Sequence, residues 1–151
     1  MNAANAGDVN ADGFSDLIGA GRAHVYVWFG GSSPNPVPDL TLARPYASVA
    51  GAGDLDGDGI DDFVVGAQYG VSGGRVSVYL GGSAVDATED LYYVGDHPGG
   101  AIGYSVAAGG HVGGPGPSDL IASAYWDPED RLARPLQRLP RHDERRLSLD
   151  L

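Results

Sequence analysis

Asp54, Asp56, Asp58 and Asp62 occupy the first, third, fifth and ninth places of the run DLDGDGIDD, and Asp8, Asn10, Asp12 and Asp16 occupy the same places in DVNADGFSD. Oxygen donors at alternate places of a tightly turned loop can converge on one point. Calcium asks for such convergence, taking six to eight oxygen ligands at about 2.3 to 2.6 Å. The backbone carbonyls of Ile60 and Phe14, at the seventh place of each loop, would fill the gap before the last aspartate. Gly59 and Gly13 stand at the sixth place, where the chain must turn sharply and a side chain would interfere. Two Ca2+ sites are therefore expected, the first weaker because Asn10 brings one charge fewer than Asp56.

A solvated Asp/Gly turn would use the same residue types. Four carboxylates within nine residues would then repel one another with nothing to neutralise them, and the spacing recurs in a second copy. A helix-flanked loop of the EF-hand kind closes its site with an acid at the twelfth place. Here the twelfth places hold Gly19 and Val65, whose side chains cannot ligate, and the flanks read as strands.

Outside these loops the chain offers little chemistry. His24, His97, His111 and His142 are scattered and form no spaced pair, so His24 reads as an exposed strand residue and His111 as a turn residue. The glycine turns GVSGG and GGPGPS lack the Gly-Lys-Ser/Thr ending of a phosphate loop. No nucleophile stands beside a base, and a non-enzymatic protein is expected. Tyr26, Trp28 and Tyr79 could form an aromatic patch that meets a neighbouring repeat or a sugar, packing being the expected use.

Composition narrows the partners. The 151 residues include 25 Gly and 10 Pro but no Cys and no Lys, which favours tight turns and excludes a disulfide scaffold or a thiolate zinc site. Residues 1–130 hold 17 acids against three Arg, whereas 131–151 hold six Arg against three acids. Such an acidic body repels nucleic acid and anionic membranes and attracts cations. No apolar run approaches the ~20 residues that span a bilayer. The opening MNAANAGDVNADG lacks the basic and apolar regions of a signal peptide.

The elements that position the loops repeat with them. GDVNADGFSD (7–16) aligns without gaps on GDLDGDGIDD (53–62) at an offset of 46, and VYVWFGGS (25–32) aligns on VSVYLGGS (76–83) at an offset of 51. A third copy appears at an offset of 57, where SVAAGGHVGGPGPSD (105–119) keeps the loop length of SVAGAGDLDGDGIDD (48–62) but not its acids. His111, Gly113 and Pro115 replace Asp54, Asp56 and Asp58, so no calcium is expected there. Around the second loop the pattern predicts strands at 46–50, 63–67, 75–80 and 91–94. Val76, Val78 and Leu80 alternate with Arg75, Ser77 and Tyr79, as Val25, Val27 and Phe29 do with His24, Tyr26 and Trp28; both read as half-buried strands. FVVGA (63–67) and DLIASA (119–124) are short apolar runs that suit strands covered on both faces. No helical period with caps precedes residue 130.

The expected fold is thus all-β, with antiparallel four-stranded units of about 50 residues, the blade of a β-propeller. The units fall at 1–44 (a partial first blade with its calcium loop), 45–100 (a complete second blade with its loop) and 101–127 (the start of a degenerate third). The tail 128–151, Arg-rich and interrupted by Pro135 and Pro140, is expected to be irregular, and its sharp change of composition would suit a foreign domain, an extension or a shifted reading frame.

SVAGAGDLDGDGIDDFVVGA (48–67) resembles the FG-GAP repeat of the integrin α-subunit propeller and its bacterial relatives. The likeness runs from residue 3 to about 126. The Phe-Gly pair of the family stands as Tyr46-Ala47 in the second copy and Gly103-Tyr104 in the third; its Gly-Ala survives as Gly66-Ala67, Gly19-Ala20 being its counterpart in the first copy and Ser123-Ala124 in the third. The resemblance implies a seven-bladed propeller with calcium loops on the face opposite the usual ligand-binding loops. Seven blades need more chain than this, so an incomplete propeller, extended by neighbouring blades of a longer chain or completed by a homo-oligomer, is expected, Met1 falling within a repeat. The role implied is a non-enzymatic, calcium-stabilised segment of an extracellular or cell-surface adhesion protein with a protein or glycan ligand. The alternatives are an accessory region of an exported hydrolase and a carbohydrate-binding propeller.

Overall fold

The computed structural model describes residues 2–69, 73–95, 99–111, 116–124 and the backbone of 134–136. All regular structure among them is strand, arranged as three antiparallel sheets. The first sheet runs in the order β1 (Asn2–Gly7), β2 (Asp16–Ala20), β3 (Val25–Trp28), β4 (Leu40–Leu42). The second repeats it with β5 (Ala47–Gly53), β6 (Asp62–Ala67), β7 (Arg75–Tyr79) and β8 (Leu91–Val94). The third holds β9 (Ile102–Gly110), β10 (Asp119–Ala124) and β11 (Arg134–Leu136). Each sheet is one blade, and consecutive strands within it are neighbours, as short turns demand.

Two departures concern the ends of the chain. The first blade, expected to be partial, is a full four-stranded sheet because Asn2–Gly7 pairs with β2 through Ala4↔Ile18 and its neighbours. The tail, expected to be irregular, supplies β11, which pairs with β10 through Ile121↔Pro135. The rest of the tail lies outside the described residues, as do His97 and His142.

Blades stack face to face. Ile18, Val25, Val27 and Leu42 of the first meet Val49, Phe63, Val65 and Tyr79 of the second in one core. Val64, Val76, Val78 and Tyr93 of the second meet Val106, Leu120 and Ala122 of the third in another. The middle blade is therefore covered on both sides. Every residue of β6 is buried, as its continuous apolar run demands. The alternation expected for β7 is not observed, since Ser77 and Tyr79 are buried along with Val76 and Val78. Tyr79 accordingly does not join Tyr26 and Trp28; it lies in the core between blades, whereas those two share the outer face of β3 with ring centroids 5.8 Å apart. DLIASA is covered on one face, leaving Ile121 37% exposed because no described element packs over it. His24 precedes β3 and is half-buried, while His111 sits in an exposed bend.

Close backbone approach joins the blades at the inner strands. A Cβ on Gly66 would run into the Gly103 carbonyl and the Ser48 hydroxyl, and that hydroxyl donates to the same carbonyl at 2.9 Å. The pairing of β1 with β2 and of β5 with β6 slips by one residue before Gly7 and Gly53, and both glycines take positive φ, +83° and +64°. These glycine bulges turn the chain out of the sheet and into the loops.

Candidate metal centre

The loop between β5 and β6 is folded by its own aspartates. Asp54 accepts hydrogen bonds from the amides of Gly57 (2.6 Å) and Asp58 (3.1 Å) on Oδ1 and from Gly59 (2.9 Å) on Oδ2. Asp56 accepts from Asp58 at 3.1 Å and Asp58 from Ile60 at 2.8 Å. Gly57 and Gly59 have φ of +86° and +91°, which an L side chain resists. The loop wraps on itself, and one carboxylate oxygen each from Asp54, Asp56 and Asp58 lies within 4.8 Å of the others.

Asp62 is placed differently. It is buried, and its two oxygens accept from Leu55 (2.6 Å) and Gly81 (2.8 Å), tying the head of the loop to the end of β7. Burial pushes its carboxyl up to about 7, and the charges of Asp56 and Asp58 push the same way against those two amides. Burial likewise raises Asp56, with Asp58 and Asp54 adding to it. Three mutually repelling carboxylates and a fourth held near neutrality form an all-oxygen, hard donor set of the kind a divalent cation relieves.

The loop between β1 and β2 has the same construction. Asp8 accepts from Asp12 (3.0 Å) and Gly13 (2.8 Å), Asp12 from Phe14 (2.9 Å), and Asp16 from Val9 (2.8 Å) and Gly30 (2.7 Å). Burial raises Asp16. Asn10 departs from Asp56 by donating its amide to Asp12 Oδ2 at 3.0 Å, so one would-be donor oxygen is engaged inside the loop. Phe14 and Ile60 stand at the seventh place of their loops, the Phe14 side chain exposed. In the third loop Gly113 and Pro115 lie outside the described residues.

Three groups escaped the reading of the sequence. Asp39 and Asp90 recur at the offset of 51 and each caps the end of a preceding strand, accepting from Phe29 (2.7 Å) and Leu80 (2.8 Å); that recurrence was a usable signal. Glu89 gathers Arg44 (3.0 Å), Arg75 and the Ser77 hydroxyl (2.6 Å), joining the connection between blades to the second blade. Asp61 accepts from the Asp8 amide at 2.9 Å across the blade boundary. Its counterpart in the first loop is Ser15, so the repeat carried no sign of it.

Residues 8–65, from the head of the first loop to the middle of β6, match the family model for FG-GAP-like repeats. Over this segment the chain is similar to FG-GAP-like repeats. Over 145 residues the chain is 32% identical to integrin alpha-IIb of Homo sapiens, an alignment covering 78% of this chain and 14% of that protein. Over 100 residues it is 35% identical to integrin alpha-IIb of Mus musculus, covering 56% of this chain and 9% of that protein. The chain thus spans a small part of the length of these relatives. The FG-GAP match straddles two blades, starting at one acidic loop and ending just past the next, so it contains both candidate centres.

Proposed function

We propose that this chain is a calcium-stabilised, non-enzymatic propeller segment of an adhesion or recognition protein acting at the cell surface. The observation that carries the calcium reading is the convergence of Asp54, Asp56 and Asp58, with one oxygen each inside 4.8 Å, in a loop whose pattern recurs 46 residues earlier. Asp54, Asp56, Asp58, Asp62 and the Ile60 carbonyl would hold the second ion; Asp8, Asn10, Asp12, Asp16 and the Phe14 carbonyl would hold the first. The ion supplies positive charge that neutralises the carboxylates and fixes the loop between two strands. Sequence likeness to integrin alpha-IIb supports the adhesive, cell-surface setting and a protein ligand.

The partners proposed next are further blades. Leu17, Gly19, Tyr26 and Trp28 on the outer face of the first blade correspond, by the offsets of 46 and 51, to Phe63, Val65, Ser77 and Tyr79. Those four form the face by which the second blade covers the first, and all are buried. Leu17, by contrast, is 59% exposed. The same face on the first blade suits a preceding blade, from a longer chain or from a second copy.

Thermal melts of the purified chain with calcium and with a chelator test the metal reading. Calcium should raise the melting temperature, and Asp56→Ala with Asp58→Ala should remove most of the increment. A wild-type chain that melts at the same temperature in both conditions would end it.

A further inference from the structure

The eighth places of the second and third loops each touch the head of the loop before it. Asp61 precedes Asp62 in the second loop, yet its carboxylate leaves that loop and accepts the Asp8 amide at 2.9 Å, at the head of the first. Space is made for it by Gly7, where φ is +83° and a Cβ would fall inside the Asp61 carboxylate. Beside it the Gly82 amide donates to the Val9 carbonyl at 2.8 Å, while the adjoining Gly81 amide donates to Asp62. The next junction repeats the contact with other atoms. Ser118, at the eighth place of the third loop, donates its amide to the Asp54 carbonyl at 2.8 Å, and a Cβ on Gly53 would sit 2.7 Å from the Ser118 hydroxyl.

From this we infer that Asp61 is a positioning residue for the first cation loop, so that each loop is braced by its successor and the third braces the second. The affinity part of the inference rests on the calcium reading above. Asp8 carries two roles at once: its carboxylate folds the loop through Asp12 and Gly13, and its own amide is fixed by Asp61. A bond between an ionised carboxylate and an amide is among the stronger neutral-to-charged contacts. It orders the backbone of Asp8 before an ion arrives, and ordering done in advance does not subtract from binding. The part of Asp61 in the first loop is to hold backbone, its Oδ2 being directed at the Asp8 amide. The brace also gives the third loop a use: it keeps the length and the eighth-place contact while lacking the acids of the other two.

The experiment uses the full chain with the second loop disabled by Asp56→Ala and Asp58→Ala, titrated calorimetrically with calcium chloride. Asp61→Ala in that background should weaken first-loop binding about tenfold, the loss of one charge-assisted hydrogen bond. Asp61→Asn, which keeps an acceptor oxygen and loses the charge, should restore most of the affinity; an equal loss in both variants would mean that charge alone matters and would overturn the brace. In a chain with both loops intact and calcium chelated, exchange of the Asp8 amide should quicken about tenfold in Asp61→Ala and stay slow in Asp61→Asn. Unchanged affinity and unchanged exchange in Asp61→Ala would also overturn it. If the parent binds no calcium the metal reading fails by itself, and the exchange of Asp8 then decides the brace: protection lost in Asp61→Ala upholds it, protection kept overturns it.

Discussion

Phe63 and Tyr79 lie face to face across the β6–β7 ladder, with ring centroids 4.7 Å apart and planes 2° from parallel. Both are buried in the core between the first and second blades, and they are the largest fully buried side chains described. Truncation of either ring should therefore act on the junction between blades. Phe63→Ala or Tyr79→Ala is expected to cost about 3 to 5 kcal/mol, read by urea denaturation. Tyr79→Phe should behave otherwise. The Tyr79 hydroxyl is buried beside the Arg44 guanidinium without a well-formed hydrogen bond among the described residues, so its removal should change stability little.

The two loops should differ in affinity for a reason that one substitution can test. Asn10 spends its amide on Asp12 and brings no charge, whereas Asp56 brings a full carboxylate, which accepts from the Asp58 amide. Asn10→Asp should tighten the weaker phase of a calcium titration by roughly fivefold, since affinity in such loops follows ligand charge. Without calcium the same change should lower the melting temperature slightly through like-charge repulsion.

Glu89 sets an acid limb on stability. Burial by itself would raise its carboxyl, but hydrogen bonds from Ser77 and Arg75 and the charges of Arg75 and Arg44 outweigh burial and hold it below its ordinary value of 4.5. A carboxyl lowered in the folded state stabilises fully above its unfolded value and loses that contribution as pH falls through its folded value. Stability should accordingly drop below about pH 4.5, and Glu89→Gln should flatten that drop. At pH 7 Glu89→Ala should cost about 2 kcal/mol by stranding two guanidinium groups.

Gly66 of the second blade and Gly19 of the first should respond unequally to a methyl group. Gly66→Ala would press into the Gly103 carbonyl, a backbone atom with no room to yield. It is expected to cost about 1 to 3 kcal/mol. Gly19→Ala meets the Trp28 ring at 3.3 Å and the Ala3 Cβ at 4.0 Å, on the partly open face. That ring can shift, and the change should stay within about 0.5 kcal/mol of the parent in a denaturation curve.

Much of the blade was legible because it is local. Apolar patterning, alternating in β7 and continuous in β6, placed those strands to within a residue, and β8 was placed at its observed limits, while the glycines at the sixth loop places marked turns that are seen with positive φ. The spacing of Asp54, Asp56 and Asp58 announced their convergence for the same reason, since three residues within five cannot separate once the chain turns at Gly57. The third loop showed its loss of acids in the same local terms.

What the sequence by itself determined is therefore the unit: its strands, its loop chemistry and its repetition. Only the tertiary structure decided which faces are covered and which aspartates look outward from their own loop. Ser77 reads as a solvent-facing strand residue, yet it is buried, because whether a face meets water depends on the neighbouring blade and not on the strand. Asp62 reads as a ligand like Asp54, yet it also fastens Leu55 to Gly81. Asp61 carried no repeated signal at all, since its partner, the Asp8 amide, is 53 residues away and becomes near only when one blade is laid upon the next. Periodicity records the environment a strand makes for itself; contacts between strands of different blades are set by packing, which no local pattern encodes.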